Sequence, residues 1–127
     1  MLCMAGLPPL PLSEGRFTLE WQHSVERVEW REFWAVTPGP ALALTGAAIR
    51  GSGAGMEPGE GAVLRDGWWQ WSIDPPREFP ELLLGASGAT GAGWRLCDAG
   101  RDGACREIGT RSGAPILLAP CDGTASQ

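Results

Sequence analysis

The apolar residues between positions 17 and 36 alternate with period two, and the alternation changes phase once. Phe17, Leu19, Trp21, His23 and Val25 fall on odd positions, while Thr18, Glu20, Gln22, Ser24 and Glu26 fall on even ones. Side chains that recur every second residue share one face of an extended chain, so this run reads as a half-buried strand. From Val28 onward the apolar set is even-numbered: Val28, Trp30, Trp34 and Val36. Such a phase change would turn every inward side chain outward unless a turn or bulge intervenes near residues 26–29. A second strand, Trp30 to Val36, is therefore expected.

The rest of the chain continues in short extended runs separated by turn chemistry. "TPGP" at 37–40 is a proline-glycine turn, and "ALALTGAAIRG" follows as a third strand. A glycine-rich loop, "GSGAGMEPGEG", occupies 51–61. In "AVLRDGWWQWSI", Asp66-Gly67 suits a tight turn between two strands. Trp69, Trp71 and Ile73 would share one face there, and Trp68, Gln70 and Ser72 the other. "DPPREFP" is expected to break structure; "ELLLG", "WRLC", "CREIG" and "APILLAP" read as short strands. This spacing predicts an all-β fold: an antiparallel sandwich or partly closed barrel of roughly seven to nine short strands, with little or no helix. We expect an N-terminal extension (1–15), a single β domain (16–121) and a frayed C-terminal tail (122–127).

Composition removes several function classes. The chain has 127 residues and a net charge of -5, and its ten basic residues are all arginine. An acidic domain repels phosphate backbones, so nucleic acid is not an expected partner. The absence of lysine excludes Schiff-base chemistry and the P-loop. No apolar run approaches the ~20 residues of a membrane-spanning helix. The start "MLCMAGLPPLPL" lacks a basic n-region and is broken by prolines, so it reads poorly as an export signal and leaves a cytoplasmic location open.

The single histidine and the four cysteines are the residues with chemistry to offer. On a continuous strand His23 and Ser24 point to opposite faces, which opposes a Ser/His nucleophile; a pairing of His23 with Ser52 from the glycine loop would be the hydrolase alternative. One histidine and no CxxC cannot complete the usual zinc sets. His23, Glu26, Glu29 and Glu32 alternate across two faces beside Arg27 and Arg31, and read as a solvated strand edge rather than a metal site. His23 is expected inward, bonded to a partner from the "GSGAGM" loop. That loop could also turn its amides toward a carboxylate, although a plain connection with positive φ angles reads as well. Cys97 and Cys105 bracket "DAGRDGA", a turn-rich loop that could bring both sulfurs within bonding reach and would suit an oxidising compartment. The other reading is a pair of reduced, partly buried thiols.

"FTLEWQHSVERVEWREFW", "IRGSGAGMEPGEGAVLRDGWWQW" and the later "WRLC" together resemble a bacterial family of small domains of unknown function. Its marks are an HSVE strand, an SGAGM loop and a following DGW hairpin. The resemblance spans about residues 16–97, and Glu29 stands where relatives often carry proline. Members are typically encoded beside, or fused to, the membrane subunits of TAXI-type TRAP transporters. The resemblance implies a non-enzymatic accessory role in solute uptake, without cofactor, through a surface that recognises a TRAP membrane or solute-binding subunit. It also implies a periplasmic or membrane-associated location. The binding positions that follow are His23, Ser24, Glu26, Ser52, Gly53, Gly55 and Met56, with Trp69 and Trp71 from the hairpin. The alternatives are an independent small-carboxylate-binding β module, in which His23, Ser52 and the loop amides hold the ligand, and a hydrolase using His23.

Overall fold

The computed structural model describes residues 1–4, 7–23, 28–50, 61–84, 93–101, 104–109 and 115–121, apart from the side chains of Gln22, His23 and Val28. Those residues form eleven strands: β1 (Leu2–Met4), β2 (Leu7–Leu10), β3 (Arg16–His23), β4 (Val28–Thr37), β5 (Ala41–Arg50), β6 (Val63–Arg65), β7 (Trp68–Phe79), β8 (Leu82–Leu84), β9 (Trp94–Asp98), β10 (Cys105–Ile108) and β11 (Ile116–Pro120). No helix occurs among them. The large sheet runs β10-β9-β3-β4-β5-β7-β6 and the small sheet β2-β1-β11-β8, all neighbours being antiparallel. The two sheets pack together as a sandwich and do not close into a barrel. The strand number exceeds the expected range because residues 1–15 supply β1 and β2.

The phase change seen in the sequence is a property of the β3–β4 pairing. Phe17 opposes Trp34, Leu19 opposes Glu32 and Trp21 opposes Trp30, so odd positions of β3 share a face with even positions of β4. Phe17 and Trp34 stack with ring centroids 6.1 Å apart. At the β6–β7 hairpin, Arg65 opposes Trp68, and Asp66 and Gly67 turn the chain with φ of 52° and 85°. Positive φ at both turn residues is what a tight antiparallel hairpin requires, and glycine accepts it freely.

Two expectations need correction. "DPPREFP" does not break structure: β7 runs through it, because the β5–β7 register jumps from Gly46↔Ser72 to Leu44↔Arg77. The jump sets residues 73–76 outside the ladder, where prolines that cannot donate are tolerated. Nor do Glu29, Arg31 and Glu32 lie on a sheet edge, since β4 is the fourth of the seven strands. β5 carries one extra residue, Thr45, between the pairs Phe33↔Gly46 and Trp34↔Leu44, and its hydroxyl donates to the Phe33 carbonyl at 3.1 Å. This is a β-bulge held by its own side chain.

The core lies between the sheets. Phe17, Leu19, Trp34, Leu42, Leu96 and Ile108 from the large sheet meet Leu2, Met4, Leu10, Leu84 and Leu118 from the small one. Fully burying a side chain of this size contributes about 1.5–3 kcal/mol. Two disulfides cross-link the ladders. Cys97 and Cys105 occupy opposed positions of β9 and β10, and Cys3 is bonded to Cys121 beside the β1–β11 ladder. Asp98, at the end of β9, is the buried polar residue among the described ones. Its carboxylate accepts from the Ser13 amide (3.0 Å), the Ser13 hydroxyl (3.2 Å) and the Gly100 amide (3.0 Å), which pins the chain entering β3 to the β9 terminus. Burial pushes the Asp98 carboxyl up, but these donors and the Arg101 charge outweigh it and hold the group below its usual range.

Candidate functional site

The large sheet presents two different faces. On the inner face, one register row carries four of the chain's seven tryptophans. Ile108 of β10 opposes Trp94 of β9, whose ring lies 4.8 Å from that of Trp21 of β3. Trp21 opposes Trp30 of β4, Trp30 opposes Ile49 of β5, Ile49 opposes Trp69 of β7, and Trp69 opposes Leu64 of β6. Trp21 and Trp30 stack nearly parallel, with centroids 5.8 Å apart. The row is half-buried at Trp21 and Trp30 and opens at its far end, where Trp69 is 38% and Leu64 55% exposed. Apolar pairs directly opposed across strands reinforce one another, so the row is both a brace for the sheet and a continuous aromatic strip.

Glu32 also projects to the inner face, between Trp30 and Trp34 along β4 and opposite Leu19. Desolvation raises its carboxyl above the ordinary value, while the Trp34 indole N–H, which donates to it at 3.1 Å, opposes that shift. It is the one carboxylate set beside the tryptophan row among the described residues.

The outer face is charged. Arg31 Nε donates to Glu20 Oε2 at 2.8 Å across β4 and β3, and Arg50 pairs with Glu29 across β5 and β4. Both guanidiniums also cover the indole of Trp68, with their carbons 4.2 Å (Arg31) and 4.9 Å (Arg50) from the ring centroid. Trp68 is therefore buried although it sits on the outer face. Arg31 reaches it across β5 because Ala48, which opposes Arg31, is small, and Ala48 is itself fully covered. Guanidinium stacking on an indole contributes roughly 0.5–2 kcal/mol depending on desolvation. It also holds each planar fork in a fixed orientation.

Three shallow hollows adjoin on this face. One of ≈350 Å³ contains Glu20, Arg31, Arg50, Trp68 and Arg95. One of ≈470 Å³ extends past Arg95 to the Cys97–Cys105 disulfide. One of ≈420 Å³ lies over the Thr45 bulge, beside Phe33, Gly46 and Arg65. Gly46 is required there, since a Cβ would meet the Trp71 carbonyl oxygen at 2.9 Å and the Phe33 ring at 3.4 Å.

The residues singled out in the sequence separate into two groups. Trp69 and Trp71 lie on β7 opposite Ile49 and Ala47, and Trp69 belongs to the aromatic row. The backbone of His23 ends β3, opposed to Val28. Its side chain, and Ser24, Glu26, Ser52, Gly53, Gly55 and Met56, lie outside the described residues, as does the expected bond between His23 and the glycine loop. Among the described residues no three His, Cys, Asp or Glu side chains converge on a metal position. The clamp of Arg31 and Arg50 on Trp68 was not foreseen, because its partners come from three strands and only the register brings them together. The one local hint was the run of small residues in β5, which leaves space for long side chains from either neighbour.

Neither a curated protein nor a solved structure matches the chain. A family model does, that of the domain of unknown function DUF1850, over residues 17–104, from the start of the β3 core through the tryptophan row to the edge of β10, and the chain belongs to that family.

Proposed function

We propose that this domain is a non-enzymatic accessory module of a TAXI-type TRAP solute-uptake system and acts by recognising a transporter subunit. The observation that carries the reading is the tryptophan row, which emerges from the sandwich at Trp69 and Leu64. Aromatic side chains that present large apolar area with a polar handle are typical anchors of protein interfaces. The transporter context rests on the HSVE and SGAGM resemblance alone. Two disulfides that engage all four cysteines suit an oxidising compartment, which supports a periplasmic location. The open hollows favour a protein partner over an enclosed small-molecule site.

The test is co-purification. The tagged domain, expressed with its neighbouring membrane and solute-binding subunits, should retain at least one of them. Leu64→Asp with Trp69→Ala should abolish that recovery at some cost in stability, because Trp69 also braces the sheet, and Leu64→Asp alone, at the more exposed position, should weaken it with the urea midpoint close to wild type. If no subunit is retained by the wild-type domain, or if the double variant recovers it equally well, the proposal fails. Hydrolysis of an ester or amide that depends on His23 would replace it with the enzymatic reading.

A further inference from the structure

Among the described residues, the outer face of the large sheet has a charge balance opposite to that of the chain. Acids outnumber arginines fifteen to ten overall. Among the described residues the three adjoining hollows are instead lined by six arginines, Arg16 (paired with Glu14), Arg31, Arg50, Arg65, Arg95 and Arg101, against four acids. Of those acids, Glu20 and Glu29 already face Arg31 and Arg50, and Asp98 is held by Ser13 and Gly100. Arg65 and Arg95 are exposed and make no ion pair among the described residues. The hollows are continuous: Glu20, Arg31 and Arg95 line two of them, and Phe33 joins the third.

We infer that this face is a further docking surface, distinct from the exposed end of the tryptophan row, for an acidic, extended segment of a partner protein, whose carboxylates meet Arg95, Arg31 and Arg65 in turn. The inference rests on the recognition reading above and assigns the chemistry of the partner. A guanidinium receives a carboxylate through two parallel N–H donors. Arg31 and Arg50 are already laid on Trp68, so binding orders little that is still free. The cationic positions are spread over β9, β4 and β6, a span of several strands at roughly 4.8 Å each, which fits an extended chain. A small carboxylate would instead call for an enclosed cavity with a few convergent polar groups. A bilayer is flat and cannot enter a hollow.

The probe is a fluorescent peptide of alternating glutamate and glycine, with a lysine-glycine peptide as control. The intact domain should bind the glutamate peptide and not the control, and salt should weaken binding as it screens exposed charges. Arg65→Glu and Arg95→Gln should each weaken binding by about fivefold to tenfold, with no change in thermal midpoint. The second variant adds no repulsion to Glu20 or Glu107. The inference is overturned if the peptide does not bind, or if both variants bind it as wild type does. It is equally overturned if succinate displaces the peptide at the peptide's own concentration, if phosphatidylglycerol vesicles bind in its place, or if the face turns out to be covered by a second copy in solution. The two readings can fail separately. Peptide binding that needs Arg95, with no transporter subunit recovered, upholds the acidic partner and removes the transporter. Subunit recovery unaffected by Arg95→Gln removes the acidic partner alone.

Discussion

Replacing both Cys3 and Cys121 by serine should destabilise the domain about twice as much as replacing Cys97 and Cys105. The first bridge spans 118 residues and the second 8. In the chain-entropy description a cross-link acts on the unfolded ensemble, and its effect grows with the logarithm of the loop it closes, giving about 5 kcal/mol for the long loop and about 2.5 kcal/mol for the short one. The backbone contacts around the long bridge do not use its sulfurs: Leu2 opposes Pro120, and the Cys121 amide donates to the Met1 carbonyl at 3.0 Å. The difference is therefore a nearly pure unfolded-state effect. Net stabilities of about 5–15 kcal/mol leave the long-loop variant folded but marginal. At roughly 3–5 °C per kcal/mol for a domain of this size, its thermal midpoint should fall by roughly 15–25 °C. Urea denaturation of the two double variants under non-reducing conditions is the assay. If losing the short-loop bridge costs as much as losing the long one, loop closure is not the source of the stabilisation, and the argument is refuted.

Other outcomes follow from the two faces. Glu32→Gln should stabilise the domain at neutral pH and lose that advantage under acid. A raised folded-state value means that the native form holds the proton more tightly, so wild-type stability rises as pH falls from above that value toward the ordinary carboxyl range. Asp98 acts in the opposite sense: its stabilisation is complete above the ordinary range and is lost as pH falls through its lowered value, which Asp98→Asn should remove from a urea-midpoint profile against pH. Gly46→Ala should cost about 1–3 kcal/mol, because the obstacle is the Trp71 backbone oxygen and not a side chain that can swing away; no loss would mean that β7 yields there. Ala48→Leu should wedge Arg31 off Trp68 and uncover the indole, read as increased quenching of tryptophan emission by iodide; unchanged quenching would contradict the clamp.

Local chemistry made part of this fold legible. The phase change between Trp21 and Trp30 and the Asp66-Gly67 turn are both short-range features, and both fix register within one hairpin. The Cys97–Cys105 pair was in view for the same reason: its partners flank one turn. What stayed hidden is long-range. The short runs Leu2–Met4 and Leu7–Leu10 have no periodicity of their own, and they become strands only because β11 offers an edge more than a hundred residues later. The continuation of β7 through Pro75 and Pro76 depends on a register jump against β5, which composition cannot announce. The Trp68 clamp needs three strands aligned before any of its residues meet. Of the expected site, the Trp69 position was readable from alternation alone, while the cationic outer face was scattered through the sequence as single arginines.

The pairing of β1 with β11 also imposes an order in time. The strand β1 must wait for β11, since Leu2, Cys3 and Met4 find Pro120, Ala119 and Leu118 only after more than a hundred further residues have been made. The β3–β4–β5 part of the large sheet has no such delay, because those strands are joined in succession and pair as neighbours. At about 5–20 residues per second, several seconds pass during which that sheet can exist without its cover, with Phe17, Leu19 and Trp34 facing water. A bare aromatic sheet face is also what a chaperone or a neighbouring nascent chain binds best. The yield of this domain should therefore depend on how quickly β11 arrives, a kinetic quantity that is separate from the depth of the native energy well.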